Sequence, residues 1–139
     1  MRMSDAIVSA TTEVEVTFNE LDPMGVVWHG NYLAYLERAR SALLSSIGYD
    51  YEQMVDSGYA WPIVDVRMKF VRSARLRDVL SIVANLVEYE NRLRIRYEIR
   101  CGDDRVFTAE TTQVAVNMET NEMCFQSPAV LLDIMQARA

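Results

Sequence analysis

Every second residue is apolar over several stretches of the chain, and this period predicts β-strands. The pattern is clean over 12–19, 64–70 and 93–99. A largely apolar strand is expected over 79–88, and a last strand from about 105 to 117. In the first strand, the residues expected to face the core are Val14, Val16 and Phe18.

Apolar residues at three- and four-residue spacing predict one long helix over 31–47. Asn31 is a favoured N-cap residue, and Gly48 suits the left-handed turn that often ends a helix. The stripe that should face the core consists of Tyr32, Tyr35, Leu36, Ala39, Leu43 and Ile47.

Two shorter helices are each predicted from a capping signal at their first residues. Asp50 with Gln53 resembles a capping box that opens a second helix, and Gly58 closes that helix. Ser127 followed by Pro128 predicts the N-cap and the first position of a terminal helix.

Short turns connect the strands that follow the second helix, at 75–78, around Asn91 and at 102–104. Strands joined by short turns are antiparallel neighbours. The order of elements therefore predicts an α+β fold, with a five-stranded antiparallel sheet wrapped around the long helix. Composition does not shift along the chain, so residues 1–139 are expected to form a single domain.

Charge and composition narrow the possible functions. A net charge of -6 and a pI of about 4.8 weigh against nonspecific nucleic-acid binding, which needs a dense basic surface. There is no run of the roughly 18 apolar residues that a membrane span needs, and no signal-peptide core, so we expect a cytoplasmic protein. Cys101 and Cys124 are too few for a disulfide framework, and a single histidine, His29, makes a zinc site a weak hypothesis.

A short segment after the first strand combines an acid with the start of the long helix. Asp22 lies in a loop shaped by Pro23 and Gly25, and the helix is expected to begin at 29–31. The first N–H groups of a helix lack intrahelical partners, so they can stabilise negative charge on a carbonyl oxygen under attack. A nearby carboxylate could attack that carbonyl or activate water. The pattern fits an acyl-transfer site, although Asp before Pro is also common in ordinary turns.

This segment resembles the signature of the 4-hydroxybenzoyl-CoA thioesterase family, in its branch of small bacterial acyl-CoA thioesterases. The resemblance covers roughly residues 12–117. The matching positions are Asp22, Gly25, Val27, His29, Tyr32, Tyr35, Glu37 and Arg40, then Trp61 to Val64, Lys69, Phe70, Ala74 and Asp78.

The resemblance implies a hotdog fold and an enzyme that hydrolyses an acyl-CoA thioester to a free acid and CoA, with no metal or redox cofactor. Asp22 would be the nucleophile or general base. His29 would supply a backbone N–H to the oxyanion and an assisting side chain. Trp28 stands where the family more often has Tyr or Phe, which bears on the shape of the acyl pocket. The residues expected to bind substrate are Gly25, Val27, Trp28, Gly30, Asn31 and Tyr32.

The family also implies homo-oligomers, dimers or tetramers, with active sites at the dimer interface. Glu37 lies on the helix, where some hotdog thioesterases have their nucleophile, but an ordinary helical pair with Arg40 is favoured. Basic residues could hold the phosphates of CoA or form a solvated face or subunit interface. They form two groups, Arg92, Arg94, Arg96 and Arg100, and Arg67, Lys69, Arg72 and Arg75. Aromatic residues that could line an acyl pocket or belong to the core are Tyr49, Tyr51, Tyr59 and Trp61.

Two alternatives to an acyl-CoA thioesterase stay open. A thioesterase for acyl carrier protein would use the arginine-rich faces to dock its acidic partner. A non-catalytic acyl-CoA-binding protein would keep the pocket and the oligomer without turnover, and the presence of Asp22 argues against it. The acyl group itself is not specified by the sequence.

Overall fold

The computed structural model describes residues 6–138, which form three helices and seven strands. In chain order these are β1 (Val8–Glu15), α1 (Tyr32–Ser46), α2 (Tyr51–Asp56), β2 (Tyr59–Ala60), β3 (Ile63–Phe70), β4 (Val79–Glu88), β5 (Leu93–Cys101), β6 (Asp104–Gln113), β7 (Val116–Asn117) and α3 (Ala129–Ala137). Two 3-10 turns, Phe18–Glu20 and His29–Asn31, precede α1.

Five of the strands form one antiparallel sheet, as predicted, and their order is β1-β4-β5-β6-β3. The expectation that the turn at 75–78 joins neighbouring strands is wrong, because β3 pairs with β6 at one edge whereas β4 pairs with β1 and β5. The short strands β2 and β7 pair separately. In β5 the apolar residues are fully buried, whereas the charged residues between them lie on the opposite face. One face of the sheet therefore carries the core. The buried residues of β5 are Leu93, Ile95, Tyr97 and Ile99.

Helix α1 packs on that face against β1 and β4, and its predicted stripe is buried. Gly48 follows the helix with φ +77°, the left-handed conformation expected there. Because α1 lies towards one side of the sheet, apolar residues on the opposite edge strand, β3, are left partly exposed. These are Val64, Val66, Met68 and Phe70.

The predicted capping box of α2 is confirmed, and so is the terminal helix α3, but the prediction of Ser127 as the N-cap of α3 is wrong. Asp50 accepts a hydrogen bond from the Tyr51 N–H at 2.8 Å, and its own N–H donates to the Gln53 side chain at 3.0 Å. Ser127 does not cap α3, because its hydroxyl donates to the carbonyl of Tyr89 and Pro128 occupies the N-cap. Ser127 thus ties the start of α3 to the end of β4.

Two strand boundaries differ from the prediction. The first strand lies over Val8–Glu15, and Phe18 falls in a 3-10 turn where it is 80% exposed rather than in the core. That turn forms because the Glu20 carboxylate accepts the Thr17 N–H at 2.9 Å. The last predicted strand is divided into β6 and β7, because the Val114 N–H leaves the ladder and bonds to the Pro62 carbonyl.

Candidate active site

The loop that carries Asp22 is a tight reversal held by its own backbone. The Asp22 N–H donates to the Val26 carbonyl at 2.8 Å, and the Gly25 N–H donates to the Asp22 carbonyl at 2.9 Å. Gly25 has φ +77°, a conformation that costs other residues free energy. The predicted loop is therefore present, and hydrogen bonds within its own backbone close it.

The Asp22 carboxylate is half-buried and fixed through one of its oxygens. Its Oδ1 accepts the Met24 N–H at 2.9 Å and the Val26 N–H at 3.4 Å. Within residues 6–138 no group donates a hydrogen bond to Oδ2. A carboxylate with one anchored and one open oxygen has the geometry that a general base or a nucleophile needs.

The start of the long helix is anchored to the chain just before Asp22. The Glu20 carbonyl accepts the Trp28 N–H at 2.9 Å and the Asn31 side-chain amide at 2.8 Å. Asn31 therefore does not act as a side-chain N-cap, as the sequence had suggested, but as a brace between this junction and the loop. The segment after β3 adds a further tie, since the Val27 N–H donates to the Ala74 carbonyl at 2.9 Å.

The 3-10 turn His29–Asn31 runs directly into α1 and forms its first turn. The N–H groups of His29 and Gly30 stand at the first positions of this turn, where no preceding helical carbonyl can accept them. The helix dipole adds partial positive charge at the same end. These two N–H groups can therefore stabilise an oxyanion.

The Trp28 side chain covers this turn. Its indole lies beside the His29 ring, with 5.1 Å between ring centroids, and a Cβ built on Gly30 would collide with the same indole. Trp28 is half-exposed and His29 is exposed. Glycine at position 30 thus lets the indole lie flat over the helix start.

Val27 and Tyr32, both predicted to bind substrate, are buried. The Tyr32 ring stacks on Phe107 with 4.6 Å between centroids, and burial raises the pKa of its hydroxyl. The two residues pack on the buried side of the loop and the helix. Their direct contact with substrate stays a prediction. Gly25, Trp28, Gly30 and Asn31 lie on the accessible side of the junction.

A cavity of about 690 Å³ lies further along α1, between that helix, α2 and the β2–β7 pair. Neither Asp22 nor His29 lines it. Of the four aromatic residues that were expected either to line an acyl pocket or to belong to the core, three line this cavity: Tyr51, Tyr59 and Trp61. The fourth, Tyr49, is a core residue, and its hydroxyl accepts the Trp61 indole N–H at 3.1 Å. Glu37 and Arg40 also line the cavity and form the predicted helical ion pair.

One face of α1 connects the cavity to the helix start. Side chains three or four residues apart lie above one another on a helix. At this spacing, one row of residues runs from Gly30 through Leu33 to three residues of the cavity wall, which are Glu37, Ser41 and Leu44. From His29 to Glu37 this path is about 12 Å long at 1.5 Å per residue.

The sheet arginines form ion pairs instead of a free cationic site. Arg94 contacts Glu88 and Glu110 at 3.1 and 3.3 Å, and Arg96 contacts Glu110 at 2.8 Å. Burial opposes ionisation of Glu110, but these two guanidinium groups outweigh it and lower the pKa of the Glu110 carboxyl. The geometry favours a solvated sheet face for this cluster.

Two features of the site were not found from the sequence. The Glu20 carbonyl and the Ala74 carbonyl hold the junction, and neither has a signal at the level of residue type because both act through the backbone. Gln113, at the end of β6, lines the cavity but is far from the motif in sequence.

In the described part of the chain, no helix is long and apolar enough to cross a bilayer.

Comparison with known proteins assigns a family to this arrangement. Residues 16–137 match the model of the thioesterase-like superfamily. A Synechocystis protein provisionally named an esterase is 32% identical over 121 residues, which are 85% of this chain and 73% of that protein. A Bacillus subtilis protein provisionally named an acyl-CoA thioesterase is 32% identical over 85 residues, 61% of each chain.

A solved structure gives the same result for the fold. The DHNA-CoA thioesterase of Staphylococcus aureus superposes with a TM-score of 0.77 at 26% identity, covering 84% of this chain and 80% of that one. The shared five-stranded sheet and long helix confirm the predicted hotdog fold.

Proposed function

We propose that this chain, which belongs to the thioesterase-like superfamily, hydrolyses an acyl-CoA thioester to a carboxylic acid and free CoA. The observation that carries the proposal is the Asp22 carboxylate, anchored through Oδ1 and open at Oδ2, on a loop that is tied to the start of the long helix. The motif around Asp22 further supports placing the chain in the branch of small bacterial acyl-CoA thioesterases. The cytoplasmic location remains a prediction from the sequence.

In the proposed reaction, the thioester carbonyl oxygen lies at the N–H groups of His29 and Gly30. Asp22 either removes a proton from a water that attacks the carbonyl carbon, or attacks that carbon itself to form a mixed anhydride that water then cleaves. In both routes the C–S bond breaks, the CoA thiolate leaves and takes up a proton, and the acid is released. The two N–H groups stabilise the oxyanion that forms on the way, and the His29 side chain assists.

The acyl group is proposed to run along the α1 face from Gly30 past Leu33 into the cavity. The walls of the cavity are mostly apolar and aromatic, which suits an acyl chain or ring. Gly25, Trp28 and Asn31 would form the entrance, with Val27 and Tyr32 packed behind them.

The CoA nucleotide is proposed to bind beside the same loop. Val26 and Arg75 form an antiparallel bridge, so the segment with Arg72 and Arg75 adjoins the Asp22 loop. Arg72 lies 3.6 Å from Asp104, whereas the exposed Arg75 guanidinium has no acidic partner within residues 6–138. Arginine suits phosphate because its planar group forms paired hydrogen bonds.

A test of Arg75 also separates CoA from acyl carrier protein as the carrier. Arg75→Ala should raise KM for an acyl-CoA several-fold and leave KM for the same acyl group on N-acetylcysteamine unchanged, because that thiol has no phosphate. The proposal names the wrong carrier if the thioester of an acylated acyl carrier protein is hydrolysed much faster than acyl-CoA and if Arg75→Ala raises KM only for that acylated protein.

The hydrolase activity itself is tested with a panel of thioesters. Purified protein is mixed with acyl-CoAs from acetyl to palmitoyl and with benzoyl-CoA, and free thiol is followed. Turnover of at least one thioester is expected. Tight binding of acyl-CoA with no thiol release on any of them would instead support a non-catalytic binding protein.

A further inference from the structure

A single backbone oxygen holds both ends of the turn that opens the long helix. The Glu20 carbonyl accepts the Trp28 N–H at 2.9 Å and the Asn31 side-chain amide at 2.8 Å. Trp28 immediately precedes the 3-10 turn His29–Asn31, and Asn31 is the last residue of that turn. A carbonyl oxygen has two lone pairs, so it can accept both hydrogen bonds at once. The N–H groups of the proposed oxyanion site therefore lie in a segment that one oxygen holds at its two ends.

The same oxygen belongs to the segment that carries the reacting carboxylate. Asp22 follows Glu20 by two residues, so the Cα atoms of the two residues are at most about 7 Å apart. Within the described residues, the other hydrogen bonds that connect the Asp22 loop to the chain after it reach no further than Trp28. The Asn31 side chain therefore carries the connection across to the helix side of the turn.

The backbone at position 31 does not itself require asparagine. Asn31 has φ -75° and ψ -18°, which lie in the right-handed helical region, and its side chain makes no capping bond to α1. Alanine adopts this conformation readily and is a good helix former. Removal of the Asn31 amide should thus leave α1 in place and remove the hydrogen bond to the Glu20 carbonyl.

We propose that Asn31 is a positioning residue, whose side-chain amide sets the distance between the Asp22 carboxylate and the N–H groups of the oxyanion site. The amide acts through the Glu20 carbonyl and not on the substrate itself. Catalysis is sensitive to such placement, because a displacement of about 1 Å between reacting groups can cost about 100-fold in rate. This inference rests on the proposed thioesterase function.

Steady-state kinetics of Asn31→Ala on the best acyl-CoA test the proposal. The kcat should fall about 10-fold or more while KM changes less than about threefold, because substrate still binds but the reacting groups are displaced. Asn117→Ala is the matched control, since the Asn117 amide oxygen accepts backbone N–H groups in the turn after β7. That control should have the wild-type kcat. If Asn31→Ala does not fold, Asn31→Leu, which is closer to asparagine in size, replaces it with the same expectations.

A second comparison separates a positioning role from a general structural one. In the Asp22→Asn background, Asn31→Ala should lower kcat less than about twofold, because no carboxylate is left to be positioned. A residue that only maintains the fold would lower kcat by the same factor in both backgrounds.

Three kinetic results would overturn the inference. They are a kcat of Asn31→Ala within about twofold of wild type, a rise in KM at constant kcat, which indicates a direct contact with substrate, and equal losses in the two backgrounds. If the wild type turns over no thioester, the thioesterase proposal fails instead, and amide hydrogen exchange tests the brace by itself. Faster exchange of the Trp28 N–H in Asn31→Ala would support the brace, and an unchanged exchange rate would reject it.

Discussion

At the scale of single residues, Gly30 is the position where the helix start leaves least room. A Cβ there would collide with the Trp28 indole, which is half-exposed and free to move away. Gly30→Ala should therefore keep the free energy of unfolding within about 1 kcal/mol of wild type, since exposed groups can rearrange cheaply. We expect kcat/KM for the best thioester to fall about 10-fold, because the indole shifts over the proposed oxyanion site.

A second glycine provides the control for Gly30. Gly48 has φ +77° and open space around its missing Cβ. Gly48→Ala should lower the free energy of unfolding by about 1 kcal/mol through backbone strain and leave kcat/KM unchanged. Denaturant unfolding and steady-state kinetics on both variants check the two expectations. Wild-type kinetics in Gly30→Ala would contradict the assignment of the helix start as the oxyanion site.

At the scale of elements, Asp50 joins α1 to the start of α2. Burial alone would raise the pKa of its carboxyl, but hydrogen bonds from the Ser41 and Ser45 hydroxyls and from the Tyr51 N–H outweigh it and lower that pKa below the ordinary 3.8. A carboxyl with a lowered pKa in the folded state stabilises the fold above its unfolded pKa. The contribution is lost as the pH falls through the folded value.

Asp50→Asn should consequently be less stable than wild type at neutral pH, and the difference should shrink as the pH falls below about 4. Urea unfolding at several pH values measures this. Asp103→Asn, at an exposed turn, serves as a matched control with a small and flat difference. A difference between wild type and Asp50→Asn that stays constant down to pH 2 would show that the charge of Asp50 does not contribute.

The elements also show which parts of the fold a sequence reveals. Local patterns sufficed for α1, for the capping box at Asp50 and for strands such as β4 and β5, because alternation, stripes and caps are set by neighbouring residues. Phe18 was misassigned because period-two alternation continued past Glu15 while the Glu20 carboxylate closed a turn. Ser127 was misassigned because its hydroxyl bonds to Tyr89, a contact distant in sequence.

The same distinction applies to the candidate site. Asp22 and the helix start were visible as a motif, and their geometry in the structure fits the proposed chemistry. The brace from Asn31 to the Glu20 carbonyl and the role of Gln113 in the cavity wall depend on tertiary contacts, so residue spacing contained no signal for them.

At the scale of the whole molecule, the edge strand β3 is the feature that a single chain leaves incomplete. Its apolar residues Val66, Met68 and Phe70 alternate on one face, and Val64 lies at a β-bulge that precedes them. Each of the four is at least 37% exposed. Exposed apolar edges invite pairing with another chain. We infer that a second copy covers this face, in line with the dimers or tetramers that the family resemblance implies.

Met68→Lys should weaken this association and reduce activity, because it places a charge in the centre of the apolar face. Light scattering at micromolar concentration should report a dimer or tetramer for wild type and a smaller species for the variant. Lys69→Ala, on the opposite face of the strand, should leave the mass unchanged. A wild-type protein that is monomeric and fully active would reject an interface at β3.

The central claim is that Asp22 supplies the reacting carboxylate, and Asp22→Asn tests it most directly. The amide oxygen of Asn can still accept the Met24 N–H, so the loop should be retained and circular dichroism should be unchanged, but an amide neither takes a proton nor attacks the thioester. We predict a loss of about 100-fold or more in kcat on the best acyl-CoA, with Asp103→Asn as the matched control at wild-type rate. A kcat within about threefold of wild type would contradict the account and transfer the role to Glu37, a carboxylate on the α1 face that leads to the cavity.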